Sequence, residues 1–453
     1  MITIPDPLRS AAIARPEHPA LVVDGLTLGY AALAARAAAA AAHLTAAGLA
    51  PGDRVALAFE PGPDAVTALF ALAAAGAVAC PLDPRATPSE QAAALAALRP
   101  HHALADRPLA HLPRLPLVTD GPPHPERFWP LDEARALILT SGTTAAPRAV
   151  PLTGAQLVFS AFGSAIRLGH DPADRWLCCL PLHHVGGLSI PIRCALYATT
   201  VELHPRFDPA AVAAALDDGR VTLASLTPAM LEAVLDARPE RPFPARLRAL
   251  LIGGARTPPE LQARARALGA PLATTWGMTE AASQIATRAP GDHTPGAPPL
   301  AFARVTAAPD GALTVTGPLV AAPLVTADRG HVDATGRVHV HGRRDDIIQS
   351  GGKKLAPAEI EDVLRAHPAI ADAAVIALQD PTWGERPAAV LVAAGLVRPA
   401  PAELRAWCRA RLSPYKAPDR YAWVESLPRD PLGKLRRRAL AGLRFEDQGQ
   451  END

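Results

Sequence analysis

Three groups of residues in this chain have types and spacings suited to phosphate chemistry. The first is Leu137 to Arg148, where an apolar run leads directly into Thr140, Ser141, Gly142, Thr143 and Thr144. Backbone N–H groups and four hydroxyls in such a turn could wrap a polyphosphate. It is not a Walker A loop, because GxxxxGK[ST] is absent and the basic residue, Arg148, follows Pro147. The second is Thr274 to Glu280, in which Trp276 offers a flat face to a purine and Glu280 offers a hard oxygen ligand to a magnesium-bound nucleotide. Just upstream, Gly253, Gly254 and Ala255 end a strand-like run where the backbone can approach a flat ligand closely. The third group is defined by rarity: of 45 basic residues only Lys353, Lys354, Lys416 and Lys434 are lysines, all in the last quarter. A lysine kept against an arginine-rich background suits a task that needs a compact ammonium on a flexible stem. Each group alone has a plainer reading: a Ser/Thr-rich turn, a core tryptophan beside a surface acid, a solvated cluster of lysines.

The elements that must hold these residues follow from the rest of the chain. Its 453 residues allow about three domains or subdomains. With 49% hydrophobic and 20% charged residues, the composition is that of a soluble globular protein without extensive disorder. A net charge of +1 supplies no basic field for nucleic acid or an acidic membrane. The five cysteines show no CxxC pair, which argues against zinc or a disulfide framework and fits a reducing cytoplasm. The N-terminus lacks the charged and apolar regions of a signal peptide. The alanine runs near 32–47 and 65–79 contain Arg36 and His43 or follow Asp64, so they predict packed helices and no membrane span.

Strand-like runs at Val55–Phe59, Ala136–Leu139, Val221–Ser225 and Leu247–Ile252 alternate with helical stretches, predicting an α/β domain of mostly parallel, helix-covered sheets. From Ala303 to Val315 short strands flank Pro-Asp-Gly, which predicts a small antiparallel, β-barrel-like subdomain. Beyond Gly336–Gly342 and Arg343–Asp346 the pattern changes: Pro357 stands at a first helical position, and strands are expected at Ala373–Ala377 and Ala388–Val392. The expected division is 1–344 and 345–453, with a small α+β domain at the C-terminus.

Taken in order with Thr326–Asp328, Gly342–Asp346 and Pro431–Lys434, these segments resemble the adenylate-forming superfamily of acyl-CoA synthetases, luciferases and carrier-loading adenylation domains. The resemblance covers nearly the whole chain. It implies that Thr140, Ser141, Gly142, Thr143, Thr144 and Arg148 hold ATP phosphates, that Thr279 touches phosphate and that Glu280 binds Mg2+. Trp276 would lie against adenine with Gly254 and Ala255, while Asp328 and Arg343 would serve the ribose or phosphate. Lys434 would stabilise charge between the attacking carboxylate and the α-phosphate, Asp345 would be the hinge of a mobile C-terminal domain, and Gly351, Gly352, Lys353 and Lys354 would line the CoA thiol path. The chain departs from the superfamily pattern at Ala145, Arg148, Ala149 and Ala327, and Trp276 replaces a usual tyrosine; none of these removes a group the chemistry requires.

Leu180 to Ser189 with Arg193, Thr279 to Thr287, and Asp380 to Glu385 are similar to the 2-succinylbenzoate–CoA ligase subfamily of menaquinone biosynthesis. That substrate has two carboxylates, and the one not activated needs a cation or several donors. The resemblance makes Ser189, Arg193, Ser283, Gln284 and Thr287 candidates for that task and puts His184 near the carboxylate being activated. Arg193 as a structural ion-pair partner and His184 as a satisfied interior histidine are the plainer alternatives. Rival functions are a ligase for another aromatic or medium-chain acid, a carrier-loading adenylating enzyme, and a nucleotide-binding relative without catalysis. The expected partners are a carboxylic acid, ATP and CoA, with no nucleic acid. A homodimer or higher homo-oligomer stays open, since no surface stands out as an interface.

Overall fold

The computed structural model describes residues 2–140, 147–350, 353–430 and 433–447. The chain forms two compact units: the first comprises Met1–Gly254, Ala265–Arg304 and Thr316–Pro323, the second Ala255–Arg264, Val305–Val315 and Leu324–Asp453.

The first unit is built on two sheets. In the larger, the strands run Ser283–Thr287, Leu272–Met278, Ala249–Ile252, Leu223–Leu226, Arg175–Cys178, Thr200–Leu203, Pro19–Val23 and Leu26–Gly29. The five inner pairings are parallel and the two outer ones antiparallel. The smaller sheet runs His102–Ala105, Arg54–Ala58, Val78–Pro81, Ala134–Thr140 and Arg148–Thr153, parallel until its last, antiparallel hairpin. Central strands such as Leu223–Leu226 and Ala249–Ile252 are buried along their whole length, as expected where helices cover both faces.

The alanine-rich stretches are the helices Tyr30–Ala46 and Pro63–Ala75. Ala40, Ala41, Ala68 and Ala71 are fully buried in one core with Leu44, Leu72 and Ile138, so small side chains let these helices approach closely. Among the described residues no helix is long and apolar enough to cross a membrane.

The second unit carries a four-stranded sheet, Arg304–Ala307, Ala312–Thr316, Leu324–Val332 and Val338–Arg343, matching the expected small barrel-like element. A further sheet follows, centred on the antiparallel hairpin Ile370–Asp380 and Gly384–Ala393, with Arg420–Trp423 added in parallel. Helices Pro357–Arg365 and Pro401–Arg409 each begin with proline in the first turn, where its missing N–H costs nothing. Ile360, Leu364, Leu404, Val375, Leu391 and Tyr421 join in this unit's core.

Thr274–Met278, part of the predicted nucleotide segment, lies within the strand Leu272–Met278, which pairs antiparallel with Ser283–Thr287. That pairing depends on a turn chemistry no periodicity reveals.

Candidate active site

The hairpin Ala134–Thr140 and Arg148–Thr153 frames the predicted phosphate loop. Thr140 lies opposite Arg148, and its Oγ1 donates to the Arg148 carbonyl at 3.3 Å. Ser141, Gly142, Thr143 and Thr144 lie outside the described residues, as does Ala145. The second hairpin strand turns directly into the helix Gly154–Leu168, capped by Thr153. Thr153 Oγ1 accepts from the Gln156 N–H at 3.3 Å while Gln156 Oε1 accepts from the Thr153 N–H at 3.0 Å. This reciprocal cap satisfies two orphan donors and fixes the helix start to the end of the strand Arg148–Thr153.

The same helix holds the predicted metal-binding turn. Gln156 Nε2 donates to the Glu280 carbonyl at 2.7 Å and to the Leu319 carbonyl at 3.1 Å. One turn on, Ser160 Oγ donates to the Ala282 carbonyl at 2.7 Å, and one turn further Ser164 Oγ accepts from Gln284 Nε2 at 2.9 Å. Gln156, Ser160 and Ser164 are all buried. Their i, i+4, i+8 spacing was the available signal, hidden because polar residues at that spacing normally mark a solvated face.

Thr279–Ala281 is a single 3-10 turn between paired strands. It needs unusual backbone: Ala282 has φ 50° and Ser283 φ 109°, and a Cβ at Gly277 would run into the Ser283 carbonyl. Non-glycine residues in such conformations cost about 1–3 kcal/mol each, so the neighbouring hydrogen bonds must hold the turn. The half-buried Glu280 carboxylate takes no hydrogen bond and no ion pair among the described residues. A free hard-oxygen ligand fits a magnesium ion that is held jointly by one carboxylate and substrate phosphates. Among the described residues no group of three or more His, Cys, Asp or Glu could hold a metal ion by itself.

Gln284 and Thr287 do come together, though their polar groups point at partners within the protein. Thr287 Oγ1 donates to Gln284 Oε1 at 2.9 Å and lies 2.7 Å from Thr275 Oγ1. Trp276 is half-buried on the strand beside them.

The predicted acyl segment forms the turn and helix Val185–Tyr197, with His184 as its N-cap residue. Gly187 is required there, because a Cβ would collide with the Leu180 and Pro181 carbonyls. Ser189 is buried with its Oγ on the Gly186 carbonyl at 3.2 Å. The rings of His183 and His184 are 4.4 Å apart, and burial pushes the His183 pKa down from its usual value.

Arg193 is the unusual member of this helix. It is 2% exposed, its Nη2 donates to Ser160 Oγ at 3.2 Å, its Cζ stands 5.6 Å from the Trp176 ring centroid, and its Nε has no partner among the described residues. Burial pushes its pKa down, and the groups that act on it electrostatically are Tyr197 and Cys194. It forms no ion pair with any described acid, so the structural ion-pair alternative has no partner to name. An unneutralised interior guanidinium costs several kcal/mol, on the order expected for a desolvated ion.

In the second unit, Asp328 and Arg343 face each other across antiparallel strands, and the Asp328 N–H donates to Thr326 Oγ1 at 3.2 Å. Arg344–Asp346 form one 3-10 turn; the Asp345 side chain lies outside the described residues. The Lys434 N–H donates to Asp430 Oδ1 at 2.9 Å. Arg429, which the sequence did not single out, donates to the Gly433 carbonyl beside Lys434 at 2.8 Å and to Asp372 Oδ2 at 2.6 Å. Lys353 Nζ sits 4.2 Å from the Tyr415 ring centroid, while Gly351, Gly352 and the Lys354 side chain lie outside the described residues. Lys416 pairs with Glu359 at 2.6 Å, which gives it a structural role.

A family model described as AMP-binding enzyme matches residues 8–311, and one described as AMP-binding enzyme C-terminal domain matches residues 359–434. A 2-succinylbenzoate–CoA ligase from Bacillus cereus is 32% identical over 98% of this chain and 99% of its own. The o-succinylbenzoate CoA synthetase from Bacillus subtilis, solved in complex with its acyl-adenylate intermediate, superposes with a TM-score of 0.89 at 30% identity over 99% of this chain and 100% of that one. The same enzyme solved with ATP and magnesium ion gives a TM-score of 0.88 at 30% identity, over 97% and 100%.

Proposed function

Because this chain belongs to the AMP-binding enzyme family, we propose that it is an AMP-forming acid–thiol ligase acting on 2-succinylbenzoate. In the first half-reaction a substrate carboxylate oxygen attacks the α-phosphorus of ATP; an O–P bond forms and pyrophosphate leaves. In the second the CoA thiol attacks the acyl carbon, loses its proton, and AMP leaves as 2-succinylbenzoyl-CoA forms. Both halves are catalysed by positioning and charge stabilisation.

The observation that carries the substrate assignment is Arg193, an interior cation with no acidic partner among the described residues. A dicarboxylic substrate brings the missing anion to it, through its unactivated carboxylate. A monocarboxylic acid would leave this charge uncompensated.

The reading gives the chain's residues distinct tasks. Glu280 would hold magnesium together with the ATP phosphates, and the ion, when bound, neutralises charge on the triphosphate. Thr140, the loop 141–144, Arg148 and Thr279 would bind phosphate, with Trp276, Gly254 and Ala255 around adenine and Asp328 and Arg343 at the ribose. His184 would flank the activated carboxylate, with Ser189, Ser283, Gln284 and Thr287 around the acyl group. Lys434 would stabilise the charge that gathers at the α-phosphorus, then withdraw as the domain from 345 onward turns about Asp345 to present Lys353 and Lys354 to the thiol. Five free cysteines, all buried, suit a reducing cytoplasm.

A pyrophosphate-release panel with CoA present, comparing 2-succinylbenzoate with benzoate, cinnamate and octanoate, tests the reading. The diacid is expected to turn over far faster than the others. Turnover of a monoacid without turnover of the diacid would remove the assignment and leave a ligase for another acid.

A further inference from the structure

The Ser160 hydroxyl sits at a junction between two parts of the site. It has one proton and two lone pairs. The proton goes to the Ala282 carbonyl at 2.7 Å, which turns a lone pair toward Arg193 Nη2 at 3.2 Å. Ala282 is the left-handed residue that ends the Thr279–Ala281 turn, so one buried side chain touches both the turn bearing Glu280 and the interior guanidinium. Its helical neighbours extend the pattern. Gln156 holds the Glu280 carbonyl, and Ser164 holds Gln284.

A guanidinium on a long stem has many rotamers, and 5.6 Å from the Trp176 centroid it gains contact without a fixed direction. Among the described residues Ser160 is its one hydrogen-bond acceptor. With that bond, the planar fork is set in one orientation and Nε is left without a partner among the described residues. Without it, the cation is still present but its fork is no longer aimed.

We infer that Ser160 is a specificity-determining positioning residue, which orients Arg193 for the unactivated carboxylate of the substrate and ties that orientation to the metal-binding turn. This rests on the dicarboxylate reading above. It predicts an effect on discrimination between acids, whereas a residue that only stabilises the fold would reduce turnover of all acids alike.

The test compares kcat/KM for 2-succinylbenzoate with that for 4-oxo-4-phenylbutanoate, which lacks the ring carboxylate, by pyrophosphate release. Loss of one charge-assisted hydrogen bond is expected to lower the diacid-to-monoacid ratio about tenfold in Ser160→Ala. Ser160→Thr keeps the hydroxyl and should restore most of the ratio. In an Arg193→Met background, Ser160→Ala should leave the ratio where Arg193→Met put it. Thermal melting of each variant separates misfolding from misorientation, and if Ser160→Ala does not fold, the Ser160→Cys ratio decides. Equal losses on both acids, in an enzyme whose wild type prefers the diacid, would overturn this inference alone. A wild type that turns over only the monoacid would overturn the substrate reading and this inference with it.

Discussion

Replacing Arg193 by methionine should change stability and turnover in opposite directions, and the signs follow from the structure. Arg193 is almost fully buried and lies near an indole; among the described residues it has a single hydrogen bond, to a neutral hydroxyl, and no acid to pair with. The hydrogen bond and the indole contact are together worth about 1–3 kcal/mol. Desolvation of the cation costs several kcal/mol, roughly as much or more. Methionine fills similar volume without charge, so the unliganded variant should melt at the same temperature or higher. Substrate turnover should suffer, because truncating one member of a buried charge pair costs about 2–5 kcal/mol. That corresponds to a loss of about 30-fold to several thousand-fold in kcat/KM for 2-succinylbenzoate. Differential scanning fluorimetry and a pyrophosphate-release assay read the two effects. A variant that melts lower while keeping diacid kcat/KM within about threefold would refute the reasoning, since a cation that stabilises the fold and ignores substrate must have a partner within the protein.

Other outcomes follow from the same geometry. Lys434→Ala should abolish adenylate formation yet leave thioester formation from supplied acyl-adenylate nearly intact, measured by CoA consumption; equal loss of both steps would contradict its withdrawal between half-reactions. Lys416→Met breaks a partly exposed pair with Glu359 and should cost less than about 1 kcal/mol in denaturant unfolding, since such pairs are screened by water. Burial lowers the His183 pKa, while nearby Asp83 raises it and Arg85 lowers it. The unfolded chain takes up a proton near pH 6.5 that folded His183 resists, so stability is full above about pH 6.5 and falls as pH drops below it, levelling off beneath the folded pKa. His183→Asn should flatten that slope in melting curves between pH 5 and 7, roughly the range of histidine titration.

Much of the fold was legible because its signals are local. Short apolar runs alternating with alanine-rich stretches marked the parallel sheets, and Pro357 stands where a helix begins. The candidate site was legible only in part. The Thr140–Arg148 and Trp276–Glu280 segments carry their chemistry in consecutive residues, but Gln156, Ser160 and Arg429 do not. Each of these acts on a residue brought to it by folding, Ser160 across 122 positions to Ala282 and Arg429 across 57 to Asp372. The ion pair of Lys416 was hidden for the same reason: its partner Glu359 lies 57 positions away.

The sequence by itself therefore determined which side chains are available and the order of the elements that carry them, because periodicity, caps and turn residues act over a few neighbours. It named Arg193 as a cation and Glu280 as a carboxylate. Tertiary structure decided that, among the described residues, Arg193 is interior without an acidic partner and the Glu280 carboxylate is unengaged, on a strained turn held by a neighbouring helix. Burial and pairing are properties of surroundings assembled from distant segments, and the energy of a charge depends on those surroundings more than on the residue that bears it.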